Sequence, residues 1–175
     1  MTVATTRLDL LRWQFDLTWA LFELHLEELT SEMLRWEPAR VCWNVRIDEH
    51  RQWTADWDEA ELDPIPVPTI GWLTWHIGWW WTVALDHAQG KTPRERIEIV
   101  WPGDLDGVLA WLRDLRLDWL EILAGYADCD LDAPSSYPWG KGSENTVAHT
   151  VAWLNAELMK NTAEIGQLRL QCSAS

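Results

Sequence analysis

The chain has 175 residues, a length that fits one domain and can bury a single sizeable core. Its 28 acidic residues outnumber 14 lysines and arginines, which gives a formal net charge of −14 and excludes general binding to nucleic acid or to an anionic membrane. We therefore expect one domain over residues 1–175 that acts on a small molecule, either neutral, cationic, or an anion held by a local group.

The sequence also predicts a cytoplasmic protein. Residues 1–13 contain neither the basic start nor the apolar core of a secretory signal. The longest apolar run, Ile70–Leu85, is shorter than the roughly 20 residues that a membrane span needs and is better read as a buried helix. The three cysteines are scattered and match neither a disulfide framework nor a zinc ribbon.

A first long helix is predicted at about residues 7–29. Thr6 can cap it, with Asp9 three residues later, and apolar residues then recur at helical spacing: Leu8, Leu11, Phe15, Phe22, Leu26 and Leu29. Ser31 is expected to cap a short helix that stops before Pro38, because the residue preceding a proline disfavours helical backbone.

Residues 37–68 are predicted to form a long irregular connection. They contain four prolines and an acidic cluster: Asp56, Asp58, Glu59, Glu61 and Asp63. A short strand or hairpin is weakly indicated near Val41–Ile47. Connections of this length in compact domains often act as lids or wrap the core.

Three more long helices are predicted, at about residues 69–87, 104–124 and 143–170. Their capping residues are Thr69, Asp104 and Ser143. Four long helices and no strong strand pattern predict an all-α fold, a four-helix bundle with the long connection between its first two helices.

The second helix carries His76 among tryptophans. Residues three and four positions apart share a helix face, so Trp72, Trp79 and Trp80 flank His76, and Trp75 extends the same side. The opposite side is a strip of small residues along which another helix can approach closely: Gly71, Thr74, Gly78 and Thr82. His76 is thus either a satisfied core histidine or a site residue backed by a tryptophan-lined pocket.

The fourth helix carries the matching polar residues. Asn161 falls inside its apolar stripe and Glu157, one turn earlier, falls at the edge of that stripe. A buried polar group without a partner costs about 1–3 kcal/mol, so both side chains require partners. Inward-pointing glutamate and histidine from facing helices build metal sites in helical bundles. From the residues alone, a metal site and a metal-free hydrogen-bond network both remain open.

These segments resemble a known family. HIGWWW in the second helix and NAELMKNTAEIGQLR in the fourth are similar to the DinB/YfiT-like four-helix-bundle superfamily. More narrowly they resemble its actinobacterial-type branch, which is related to the N-terminal domains of mycothiol-dependent maleylpyruvate isomerases. WPGD at residues 101–104 and SSYPW at residues 135–139 fit the same branch.

The resemblance implies a divalent metal, commonly zinc or nickel. It places one ligand on the second helix and two on the fourth at i and i+4, which correspond here to His76, Glu157 and Asn161. Asn161 departs from the pattern, because an amide oxygen replaces the usual imidazole and is a much weaker ligand for these metals. His25, near the apolar stripe of the first helix, is the candidate for a compensating ligand.

Two functions follow as hypotheses. In the first, the chain is a metal-assisted, thiol-dependent transferase or isomerase, in which the metal lowers the pKa of a low-molecular-weight thiol. In the second, it is a non-catalytic, metal-free bundle that binds an apolar or cationic ligand in a pocket lined by Trp72, Trp79 and Trp80. The resemblance also makes a homodimer an expected partner.

Overall fold

The computed structural model describes residues 5–60 and 62–175. The prediction that residues 1–13 are not a secretory signal therefore lies partly outside the described residues. Glu61 of the predicted acidic cluster lies outside them as well.

The described chain is mostly helical, which confirms the all-α prediction. The α-helices are α1 (Arg7–Leu26), α2 (Ser31–Arg35), α3 (Ile70–Ala88), α4 (Leu105–Gly125) and α5 (Val147–Ala174). Two short 3₁₀ helices span Arg96–Glu98 and Asp128–Asp132, and the strands are β1 (Cys42–Trp43), β2 (Val45–Ile47), β3 (Trp53–Ala55) and β4 (Val67–Pro68). Within the described residues, no helix is both long and apolar enough to cross a membrane.

Three of the predicted helix starts are confirmed by their capping hydrogen bonds. Thr6 Oγ1 accepts from the amide of Asp9 at 3.1 Å, and the Asp9 carboxylate accepts from the amide of Thr6 at 3.0 Å. Thr69 Oγ1 accepts from the third amide of α3 at 3.2 Å, and Asp104 Oδ1 accepts from the third amide of α4 at 2.8 Å. Each cap satisfies an amide that has no acceptor within its helix.

The predicted start of the last helix is wrong by four residues. Helix α5 begins at Val147 rather than residue 143, because the segment before it pairs with an earlier loop. The amide of Ser135 donates to the carbonyl of Asn145 at 2.9 Å, and the amide of Val147 donates to the carbonyl of Ala133 at 2.9 Å. These bonds hold the backbone extended up to the helix and bring the 133–137 loop against α5.

The first helix also ends early, at Leu26 instead of residue 29. The amides of Glu28 and Leu29 bond carbonyls three residues back, at 3.2 and 3.3 Å, so the helix tightens into a turn. Such a change to i−3 bonding is a common way for a helix to finish.

The connection between α1 and α3 is more ordered than predicted. Strand β2 pairs antiparallel with β3, which confirms the weakly indicated hairpin, and β1 pairs parallel with β4. The guanidinium of Arg46 bonds Asp56 at 3.0 Å across the hairpin. The connection therefore lays tryptophans from the hairpin region onto α3.

Helix α3 lies against α2, α4 and α5 and is buried along most of its length. Trp81 is fully buried and packs edge-to-face on Phe15 and Trp19 of α1. The predicted small-residue strip is confirmed as a contact surface, because the indole of Trp111 from α4 rests directly on the Cα of Gly78.

Replacing Gly78 tests this packing. A methyl group in Gly78→Ala would overlap the Trp111 ring, so we expect a loss of about 1–3 kcal/mol in the free energy of unfolding despite the better helix propensity of alanine. Urea unfolding of both proteins measures the change. Gly125→Ala is the matched control, because open space surrounds that position and stability should stay equal or rise by up to about 1 kcal/mol. Equal stability of the two variants would contradict the packing.

Candidate functional site

A cluster of stacked indoles, here called the tryptophan wall, covers one side of α3. It consists of Trp72, Trp75 and Trp79 from the helix and Trp43 and Trp57 from the connection. Trp43 stacks on Trp72 with ring centroids 5.0 Å apart, and Trp75 stacks on Trp79 at 5.7 Å. The wall gives α3 a rigid aromatic surface beside His76.

His76 packs on the tryptophan wall as the helix periodicity predicts. Its ring stacks on Trp72 at 5.0 Å, nearly parallel, and meets Trp79 edge-on at 5.9 Å. Its buried Nδ1 has no hydrogen-bond partner among the residues that the structure describes. The imidazole thus keeps one nitrogen uncommitted.

The pKa of His76 is lowered to about 4. Burial is the main cause, because a low-dielectric environment penalises the imidazolium form, and the positive charge of Lys160 lowers the pKa further. Glu157 and the side chain of Asn161 act in the opposite direction. His76 is therefore neutral at physiological pH, and both predicted fourth-helix residues lie near enough to influence it.

Asn161 of α5 uses both ends of its amide, the oxygen toward α3 and the nitrogen toward Glu164 on its own helix. Its side chain is 1% exposed. Oδ1 accepts from the indole of Trp80 at 3.3 Å, and Nδ2 donates to the carboxylate of Glu164 at 2.8 Å. Trp80, predicted as pocket wall, is thus tied to Asn161 and stacks on buried Trp81. The amide acts in the described structure as a hydrogen-bond bridge.

Two half-buried carboxylates flank this bridge. Glu157 pairs with Lys160 one turn away on the same helix, with Oε2 and Nζ 2.7 Å apart. Glu164 bonds Asn161 and, within residues 5–60 and 62–175, forms no salt bridge. The spacing of Lys160 and Glu164, each three residues after a predicted site residue, could have identified both from the sequence.

His76, Glu157 and Asn161 do not fit a metal in this arrangement. The amide of Asn161 is committed to Trp80 and Glu164, and the nearby Lys160 cation both occupies one oxygen of Glu157 and opposes a dication. In the described part of the chain, no three His, Cys, Asp or Glu side chains group in a way that could hold a metal ion. His76 is neutral, which is the form of imidazole that a metal requires, but its two predicted co-ligands are committed to other partners.

His25, the predicted compensating ligand, belongs to α1 and contacts α5 near its C-terminal half. Its ring rests against the backbone of Gly166, and its pKa is lowered by burial and by the charge of Arg169. The charges that act on His76 are those of Lys160 and Glu157 instead. The two histidines thus face different parts of α5.

An apolar groove lies along one face of α5. Its volume is about 450 Å³, and Glu164, which bonds Asn161, is one of its lining residues. Apolar surface dominates the lining, which comes from one face of α5 and from β4: Val67, Pro68, Ala163, Gln167, Leu168 and Gln171. A carboxylate beside apolar surface is suited to a ligand with a charged end and an apolar body.

Comparison with known proteins gives a family for these features. The model of the DinB superfamily matches residues 14–165, which include His76, Glu157 and Asn161. No curated protein matches the chain. The match is at the level of the superfamily, and the narrower branch stays a prediction.

The lowered pKa of His76 predicts a specific pH dependence. Below its ordinary pKa of 6.5 the unfolded chain takes up a proton that folded His76 does not accept until about pH 4, so the unfolded state is favoured progressively as pH falls. This one group should cost about 3 kcal/mol of the free energy of unfolding between pH 6.5 and 4. Denaturant unfolding of the wild type and His76→Gln at several pH values measures this contribution. It is the difference between the two proteins in how steeply the free energy of unfolding falls as the pH is lowered.

In His76→Gln that part of the pH dependence should disappear. His50→Gln, which alters an exposed loop histidine, should leave it in place. If the free energy of unfolding depends on pH equally in the wild type and in His76→Gln, the lowered pKa does not belong to His76.

Proposed function

The chain belongs to the DinB superfamily, and on that premise we propose that its four long helices form the DinB-type bundle and bind an organic cation beside His76 without a resident metal. The observation that carries the proposal is Glu164, a half-buried carboxylate with no ionic partner in the described chain. Its side-chain partner is the neutral amide of Asn161, so a cationic ligand would add the opposite charge that this carboxylate lacks.

The aromatic surroundings support a cation. The electron-rich faces of indoles attract ammonium groups, by about 0.5–2 kcal/mol for each contact. Trp79, like Trp43 and Trp57 of the tryptophan wall, is partly exposed, and the partly exposed imidazole of His76 adds no positive charge because it stays neutral. The overall charge of −14 would also raise the local concentration of a cation.

The apolar groove supports a ligand that is more than an ammonium group. Its lining lies next to Glu164, so a ligand can place its charge at the carboxylate and its apolar body along α5. We therefore propose an amphiphilic amine or quaternary ammonium compound as the ligand class. The proposed activity is binding and not catalysis. The tryptophan wall, His76 and Glu164 provide the aromatic surface and the charge that this binding requires.

Titration with benzyltrimethylammonium tests the proposal. We expect saturable quenching of tryptophan fluorescence, and we expect Glu164→Gln to weaken binding about tenfold because the carboxylate is lost while the shape is kept. Benzyl alcohol, which lacks the charge, should bind at least tenfold more weakly. Glu144→Gln is the matched control, because it removes the same charge from an exposed loop residue and should change affinity less than twofold.

Equal affinity of Glu164→Gln and Glu144→Gln would contradict the proposed site. Equal affinity for the alcohol and the ammonium compound would show that charge is not recognised, and would leave an apolar ligand as the correct class.

Metal content separates this proposal from the metal-assisted thiol enzyme that the resemblance implies. Protein purified without an affinity tag should contain no stoichiometric zinc or nickel by mass spectrometry, and its melting temperature should not respond to either ion. Stoichiometric metal that is lost in His76→Ala would overturn the metal-free proposal and favour the thiol-dependent transferase or isomerase. His50→Ala controls for the loss of an exposed imidazole.

A further inference from the structure

A second cavity lies toward the other end of α3, where α3, α4 and α5 meet the 133–137 loop. Its volume is about 230 Å³. His87 is one of its lining residues and lies eleven positions after His76, which is about 16 Å along a helix axis. The cavity is therefore separate from the site beside His76.

The cavity has a buried donor in its wall. Trp119 lines it and is 1% exposed, and the one polar atom of its side chain, Nε1, has no acceptor among the residues that the structure describes. A buried N–H without a partner costs about 1–3 kcal/mol. An oxygen or nitrogen acceptor inside the cavity would remove that cost.

A second donor lines the same cavity. The half-buried hydroxyl of Tyr126 forms no hydrogen bond within the described chain. Burial and the charge of Asp130 raise the pKa of Tyr126, so its hydroxyl keeps its proton. Trp119 and Tyr126 thus both line the cavity with donors that have no acceptor in the described chain.

The loop that closes the cavity is held in place. Thr150 Oγ1 lies 2.7 Å from Ser135 Oγ and 2.8 Å from the carbonyl oxygen of Tyr137, so it can donate to either. The hydroxyl of Tyr137 donates to the carbonyl of Trp80 at 2.8 Å, and its ring stacks on His87 at 4.8 Å. The cavity is therefore largely formed before any ligand enters, which is typical of binding sites.

We propose that this cavity binds a small, uncharged, single-ring molecule that presents a carbonyl-type acceptor to Trp119 and Tyr126. Its volume is below the roughly 300–1,000 Å³ of sites for drug-sized ligands, which limits the ligand to about one ring. Among the described residues, none of those that line the cavity is an aspartate, glutamate, lysine or arginine, so an ionic ligand would meet no permanently charged side chain. The proposal does not depend on the cation site.

Indole N–H resonances of the full-length ¹⁵N-labelled protein test the proposal, with benzamide as the probe. Trp119→Phe assigns the Trp119 signal, and we expect benzamide to shift that signal in a saturable way. Trp81 is the internal control, because its Nε1 is also buried and has no acceptor in the described chain, but it does not line the cavity. Trp81→Phe assigns its signal, which should stay in place.

Benzoate, the anionic analogue, should bind at least tenfold more weakly than benzamide. Tyr126→Phe keeps the ring and removes one donor, so it should weaken benzamide binding about three- to tenfold. The proposal is overturned if the Trp119 signal of the folded protein does not move, if Trp81 moves equally, or if benzoate binds as tightly as benzamide.

Discussion

The rest of the structure is arranged around the burial of the tryptophans of α3. Trp72, Trp75, Trp80 and Trp81 are each at most 6% exposed, although they point to different sides of the helix. Each indole buries on the order of 150–250 Å² and so contributes more to the core than any aliphatic side chain. Because one helix carries so much apolar surface, it needs cover from the helices packed on it and from the α1–α3 connection as well.

Burying indoles creates a second demand, because each carries one N–H that is costly to bury without an acceptor, and of the four buried indoles of α3 only Trp81 has none in the described chain. Trp72 donates to the backbone carbonyl of Asp56 at 2.8 Å, and Trp75 donates to that of Ile99 at 2.9 Å. Trp80 donates to Asn161, so the amide that replaces the usual metal-binding imidazole of the family resemblance serves the packing of α3. This is why the residue that weakens a metal site is at the same time well suited to the core.

The same burial produces the chemistry at His76. Enclosure by the tryptophan wall keeps the imidazole neutral, while the carboxylates of Glu157 and Glu164 remain at the partly exposed edge of α5. Lys160 compensates one of these carboxylates, and a cationic ligand is proposed to compensate the other. Toward the opposite end of α3, the indole N–H of Trp119 on α4 has no acceptor in the described chain. Trp119 lines the second cavity, in which a ligand is proposed to supply that acceptor.

The sequence by itself determined the helices, most of their starts and the tryptophans that pack on His76. These features depend on local chemistry: a capping side chain bonds an amide three residues away, and a helix face follows from a period of 3.6 residues. The sequence could not place the start of α5, because a pairing with residues 133–135 holds residues 145 and 146 extended. It also could not reveal that Asn161 bridges Trp80 and Glu164, or that Trp119 lines a cavity. Those are contacts between distant segments, and only the packing of the whole chain decides which polar atoms meet and which are left without a partner.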